Sequence, residues 1–146
     1  MPSTTVPALV LRRVYRATPQ RVYEAWTNPE LAKQFLCPES VTIADVAMDV
    51  RTGGSYHIVM QKEDGERLTV RGTYRDVQPA KRLSMTWKWE EDDPKDEYDT
   101  VLTIEFAPVD GGTELTLTHE GFQKEQNRSN HEYGWTSILD KLTKLS

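Results

Sequence analysis

The stretch from Gly134 to Leu145 constrains this chain most. It reads as one amphipathic helix, and it follows a long block of β-patterned sequence. On a wheel of about 100° per residue, Trp135, Ile138, Leu139, Leu142 and Leu145 form one stripe. Asp140, Lys141, Thr143 and Lys144 fall outside it. A lone helix of this kind must lay its stripe on the sheet. The space between the two is then either packed solid or left as a cavity, and a cavity is the expectation here.

The start of that helix decides which side chains look at the sheet. Ser129-Asn130-His131-Glu132 matches a capping box and would begin the helix late. Gln123-Lys124-Glu125-Gln126 are good helix formers and favour an early start, which is the preferred reading. An early start brings Arg128 and His131 to the apolar side.

Upstream, residues 1–8 are expected to be a flexible tail and 9–146 a single domain, a length that suits one core. Leu9 to Tyr15 reads as a first strand. Thr18-Pro19 and Asn28-Pro29 each pair an N-cap residue with a proline in the first turn, so two short helices should follow back to back. Val22, Ala25 and Trp26 share a face of the first; Leu31, Phe35 and Leu36 belong to the second, which Pro38 ends. Val41 to Val50 alternates imperfectly. Gly53-Gly54, Asp64-Gly65 and Asp110-Gly111-Gly112 mark turns between further strands. Leu83, Met85, Trp87 and Trp89 share one face, as do Leu115, Leu117 and His119. Strands joined by such turns predict an antiparallel meander with one wet side.

Composition excludes several classes. The formal charge is −5, from 18 Lys+Arg against 23 Asp+Glu. Without a basic cluster this balance argues against nucleic acid. The acidic run Glu90-Glu91-Asp92-Asp93-Pro94-Lys95-Asp96-Glu97 reads as a solvated hairpin loop that would repel an anionic membrane. It lacks the ordered carboxylates and turn glycine of a cation loop. The one cysteine, Cys37, permits no intrachain disulfide and reads as structural. No signal-peptide pattern and no apolar run near the roughly 18 residues of a membrane span are visible, so the expected location is cytoplasmic. His57, His119 and His131 lack metal-type spacing; neither a metal nor a cofactor is expected. No nucleophile elbow, phosphate-cradling loop or Cys–His signature supports nucleophilic catalysis.

Four pieces in order carry a resemblance. They are Arg13-Val14-Tyr15-Arg16-Ala17-Thr18-Pro19 with Val22 and Trp26; Asn28-Pro29-Glu30-Leu31; Gly53-Gly54 with Asp64-Gly65 and Gly72; and Arg82-Leu83 with Trp87, Gly112-Thr113-Glu114-Leu115 and Gly134-Trp135. Over about residues 9 to 145 the chain resembles the heat-shock protein 90 ATPase activator-like proteins. These belong to the START-like, birch-pollen-allergen-like superfamily with a helix-grip fold. The resemblance implies an α+β domain in which a curved antiparallel sheet of about six or seven strands grips the C-terminal helix. Two short helices after strand one would close one end, and a cavity would lie between sheet and helix. Many relatives carry a tryptophan or two before the proline that follows the second helix. This chain has Gln34-Phe35-Leu36-Cys37-Pro38 there, which keeps the site apolar and changes the shape of its entrance.

Inward parity together with the fold names the candidate lining. The short helices contribute Trp26 and Phe35. The first strands after them contribute Met48, Tyr56, Ile58, Met60 and Tyr74, and the later ones Met85, Trp87, Ile104, Leu117 and His119. The final segment adds Phe122, His131, Trp135 and Leu139. Aromatics and methionines suit an adaptable apolar pocket, yet each alone could simply fill the core. His119 is the sharpest polar candidate. It is either a core histidine satisfied by a tyrosine or a backbone carbonyl, or a ligand hydrogen-bonder and proton acceptor with His131 or Glu120 nearby. His57, Arg71 and Arg75 are placed outward, and Arg13 as a partly buried ion-pair partner.

The expected function is binding of a small, mostly apolar or aromatic ligand between helix and sheet. The alternative is a protein-interaction or co-chaperone-like module, or a homodimer, although the further module of a full activator is not expected in this chain. A hydrolase or cyclase using His119 ranks last. The expected partner is a small molecule, with no nucleic acid and no membrane.

Overall fold

The proline-marked starts form as the caps dictate. The computed structural model describes residues 6–38, 40–91, 93, 95 and 97–145, with the backbone alone for Leu145. After strand β1 (Leu9–Tyr15), the Thr18 hydroxyl accepts from the Arg21 N–H at 3.2 Å and starts helix α1 (Pro19–Thr27). The Asn28 side chain accepts from the Glu30 N–H at 3.0 Å and starts α2 (Pro29–Phe35). Each cap satisfies one of the N–H groups that a helix start leaves unpaired.

Six strands follow: β2 (Val41–Met48), β3 (Ser55–Lys62), β4 (Arg67–Gln78), β5 (Arg82–Trp89), β6 (Thr100–Val109) and β7 (Gly112–Glu120). They form one curled antiparallel sheet in the order β1-β7-β6-β5-β4-β3-β2. β1 and β2 are therefore its two edges, and α1 and α2 carry the chain from one edge to the other. Register slips between Ile43 and Asp45 on β2 and between Tyr74 and Asp76 on β4. Such bulges add local twist. The first also explains the imperfect alternation, because the half-buried residues switch phase from Val41 and Ile43 to Val46 and Met48.

Close packing between strands accounts for Gly72 and Gly112. A Cβ on Gly72 would lie 2.0 Å from the Thr86 carbonyl oxygen, and one on Gly112 would lie 1.8 Å from that of Tyr15. Neither position has room for a side chain.

The last helix, α3, runs Glu125–Lys141, the early start. It does not stay α-helical to Leu145, because the chain tightens to a 3-10 turn over Leu142–Leu145. The stripe is buried at Trp135, Ile138, Leu139 and Leu142; the Leu145 side chain lies outside the described residues. Polar anchors hold both ends of the helix. The Tyr15 hydroxyl donates to the Leu139 carbonyl at 2.7 Å, and the Lys141 ammonium donates to that of Cys37 at 2.7 Å. Arg13, partly buried as expected, approaches Asp140 at 3.6 Å. At the N-terminal end, Arg128 donates to the Pro7 carbonyl at 3.1 Å.

Two residues of the expected tail, Val6 and Pro7, touch the domain. Val6 packs against the core and Pro7 is tied to α3, while residues 1–5 lie outside those described. Of the acidic loop, Asp92, Pro94 and Asp96 also lie outside them.

Candidate functional site

Strand period places Trp87 and Trp89 on the inward face of β5, and helix period places His131, Trp135 and Ile138 along one side of α3. Where these rows meet, two tryptophans each grip a histidine. The Trp135 indole donates to His119 Nδ1 at 3.0 Å. His119 Nε2 lies 2.6 Å from the Thr100 hydroxyl, which in turn donates to the Trp87 carbonyl at 2.7 Å. An indole nitrogen can only donate, so Nδ1 is the acceptor and the proton sits on Nε2. His119 is fully buried, and burial drives its pKa well below the ordinary value, with the neighbouring His131 adding to the shift. A second proton would have to arrive at Nδ1, opposite an N–H. His119 is thus a neutral core histidine, satisfied by an indole and a hydroxyl rather than by a tyrosine or carbonyl. Of its two anticipated neighbours, His131 lies beside it at a ring distance of 4.9 Å, whereas Glu120 is exposed.

The second pair repeats the logic. Trp89 donates to His131 Nε2 at 2.8 Å, and His131 Nδ1 donates to the Asn127 carbonyl at 2.7 Å. Burial lowers the His131 pKa, opposed by the bond to Asn127. Trp135 packs against Trp87 at 5.0 Å and Trp26 at 5.8 Å, and Phe122 against His119 at 4.5 Å. Trp26 Nε1 and Trp87 Nε1 are buried without a hydrogen-bond partner among the described residues.

Beside this packed aromatic group, which joins α3 to β5, the helix stands clear of β3 and β4 and leaves a cleft of about 330 Å3. Its apolar walls are Met60, Leu68, Trp87, Trp89, Trp135 and Ile138. Pro38 and Val41 border it near Gly134; Asn127, Asn130 and His131 border it further up the helix. A polar hollow of about 340 Å3 adjoins it, lined by Lys95, Tyr98, Thr100, Gln123 and Lys124. Trp87, Trp89, Glu91, Asn127 and His131 border both spaces. The Trp89–His131 bond therefore stands at their junction.

Of the residues singled out from sequence, Met60, Trp87, His131 and Trp135 line the apolar cleft. Trp26, Phe35, Ile58, Tyr74 and Met85 are buried in the core, as are Ile104, Leu117, His119, Phe122 and Leu139. Met48 and Tyr56 do not reach the cleft. They border a different groove with His57, Arg71 and Thr73, because they sit at the opposite end of the β2–β3 pair from Val41 and Met60. His57 and Arg71 point outward, bonded to Asp45 at 2.9 Å and Glu90 at 2.8 Å. The sequence reading missed Leu68, Trp89, Ile138 and Asn127. Trp89 shares its parity with Trp87 and Ile138 lies on the helix stripe, so both carried a signal; Asn127 carried none. Among the described residues no His/Cys/Asp/Glu group could hold a metal ion, and no helix is long and apolar enough to cross a membrane.

Fold and cleft together define a helix-grip protein, and the comparisons agree. The model of the activator of Hsp90 ATPase homolog 1-like family matches residues 16–146, and the chain belongs to that family. It is 27% identical over 127 residues to the activator of 90 kDa heat shock protein ATPase homolog 1 of Mus musculus, and 26% identical over 127 residues to that of Homo sapiens. Both matches cover 87% of this chain and 33% of the relative, so the chain spans about a third of their length. A solved protein from Chromobacterium violaceum superposes with a TM-score of 0.84 at 29% identity, covering 94% of this chain and 95% of that one. One from Silicibacter pomeroyi gives 0.83 at 27% identity, covering 94% and 96%.

Proposed function

We propose that this protein binds a small, mostly apolar or aromatic molecule in the cleft between α3 and the β3–β5 wall. The observation that carries the reading is the cleft itself: about 330 Å3, walled by three tryptophans, a methionine, a leucine and an isoleucine. Ligand sites of roughly 300–1,000 Å3 combine such walls with a few placed polar groups, here His131, Asn127 and Asn130. The volume is at the small end of that range, which favours a compact ligand over a lipid. Both histidines are held neutral by indole donors, so the site favours binding over proton transfer.

The test is native mass spectrometry of protein purified from its own cell, beside a Gly134→Leu variant. A Cβ at Gly134 meets only the Pro38 ring, at 3.7 Å, so a leucine side chain there enters the cleft without displacing backbone. A co-purifying small molecule in the parent protein, lost in the variant, supports the reading. Its absence from both, with no binding of aromatic probes in solution, ends it.

Kinship with the two mammalian activators favours a second reading, a module that contacts a chaperone. Stimulation of a chaperone ATPase by the purified chain would support it, and a flat response would remove it.

A further inference from the structure

We infer that the Trp89–His131 pair reads a hydroxyl group, so that the cleft takes a hydroxylated aromatic molecule in preference to its ether or hydrocarbon counterpart. The inference rests on the binding reading above and adds the chemistry of the ligand.

The two residues meet across the junction of the apolar cleft and the polar hollow. Each has one fixed role. His131 Nδ1–H is held by the Asn127 carbonyl at 2.7 Å, which leaves Nε2 an acceptor. The Trp89 indole is a donor by its chemistry, and it meets Nε2 at 2.8 Å. A polar group that enters between them must replace one bond with two: it must donate to His131 and accept from Trp89. A hydroxyl does both. An ether or ketone accepts from the indole and strands the imidazole nitrogen. A hydrocarbon can fill neither role, so it leaves the indole–imidazole bond closed and gains no bond there. A carboxylate cannot donate, so it too would strand the imidazole nitrogen. A stranded acceptor, or the second bond that only a hydroxyl completes, is worth roughly tenfold in affinity.

The remaining surfaces agree. Trp87 and Trp135, 5.0 Å apart, offer ring faces to an aromatic body, with Met60 and Ile138 beside them. The Trp87 ring stands edge-on to Trp89 at 5.8 Å, and its buried nitrogen has no acceptor among the described residues. A hydroxyl oxygen has two lone pairs and can serve a second donor in this group.

The test is calorimetric titration of the full chain with a naphthol, its methyl ether and the matching methylnaphthalene. It runs beside nitrogen-15 spectra of the indole N–H signals, with Trp89 assigned from the Trp89→Phe variant. The expected result is naphthol binding about tenfold or more tighter than either analogue, against the order of their apolarity. The Trp89 signal should move only with naphthol. In Trp89→Phe and in His131→Phe the preference should fall to within about threefold while methylnaphthalene still binds. Equal affinities for all three probes in the parent protein, with the Trp89 signal unmoved, would overturn the hydroxyl inference and leave the cleft as a ligand site. No binding by any of the three would overturn both.

Discussion

Trp135 and His119 are locked donor to acceptor, the indole N–H of one 3.0 Å from Nδ1 of the other. That contact fixes the tautomer of a buried imidazole and leaves it no site for a second proton. Trp89 does the same for His131 at 2.8 Å.

Acid should therefore destabilise the protein well before its carboxylates titrate. Both histidines have lowered pKa values in the folded state, and His119 strongly so. As pH falls through about 6.5, the unfolded chain binds protons that the folded chain refuses. Stability is then full above about pH 7 and declines below it. The slope is at most about 1.4 kcal/mol per pH unit for each excluded proton. Urea unfolding at steps between about pH 7.5 and 5 checks this, and a flat profile would refute it.

Tyr15→Phe removes the donor to Leu139. That carbonyl lies in the last turn of α3, just before the chain tightens to the 3-10 turn, where the α-helical hydrogen-bond ladder ends. The expected loss is about 1–2 kcal/mol by chemical denaturation, with faster amide exchange at the C-terminal turn. Wild-type stability in the variant would show that another donor replaces the phenol.

Gly134→Ala should stabilise. The residue is within α3, and the added methyl meets the Pro38 ring at an ordinary 3.7 Å. A gain of about 0.5–1 kcal/mol in unfolding free energy is expected from helix propensity alone. A loss would mean that the cleft wall depends on close approach at this point.

Gly72→Ala should do the opposite. Its Cβ would fall 2.0 Å from the Thr86 carbonyl oxygen, which also accepts the Tyr56 hydroxyl at 2.6 Å. That carbonyl cannot retreat without breaking the second contact. A loss of about 1–3 kcal/mol, or failure to accumulate as folded protein, is expected.

Much of the fold was legible because local chemistry announced it. Thr18-Pro19 and Asn28-Pro29 start helices, and Asp64-Gly65 and Asp110-Gly111 turn hairpins. The early start of α3 followed from the helix formers Gln123 to Gln126. The bulge in β2 was hidden, because a phase switch in a short strand looks like weak alternation. So was the 3-10 ending, since Leu142 keeps the same apolar stripe in either helix type. The site was legible only in part. Parity identified Met60, Trp87 and Trp135 as inward, but burial against solid core and burial along a cleft give the same pattern. Where α3 stands off the sheet depends on anchors distant in sequence, such as Tyr15 with Leu139 and Pro7 with Arg128. The partners of His119 come from β6 and α3, and no spacing within β7 could name them.

The anchoring of α3 has a consequence for variation. Tyr15, Lys141 and Arg128 fasten the helix to β1, to the carbonyl after α2 and to the segment before β1. None of these ties uses the β3–β5 wall. The exposed Leu68 on that wall can therefore be exchanged without cutting any of these three ties. One framework can thereby carry differently surfaced walls.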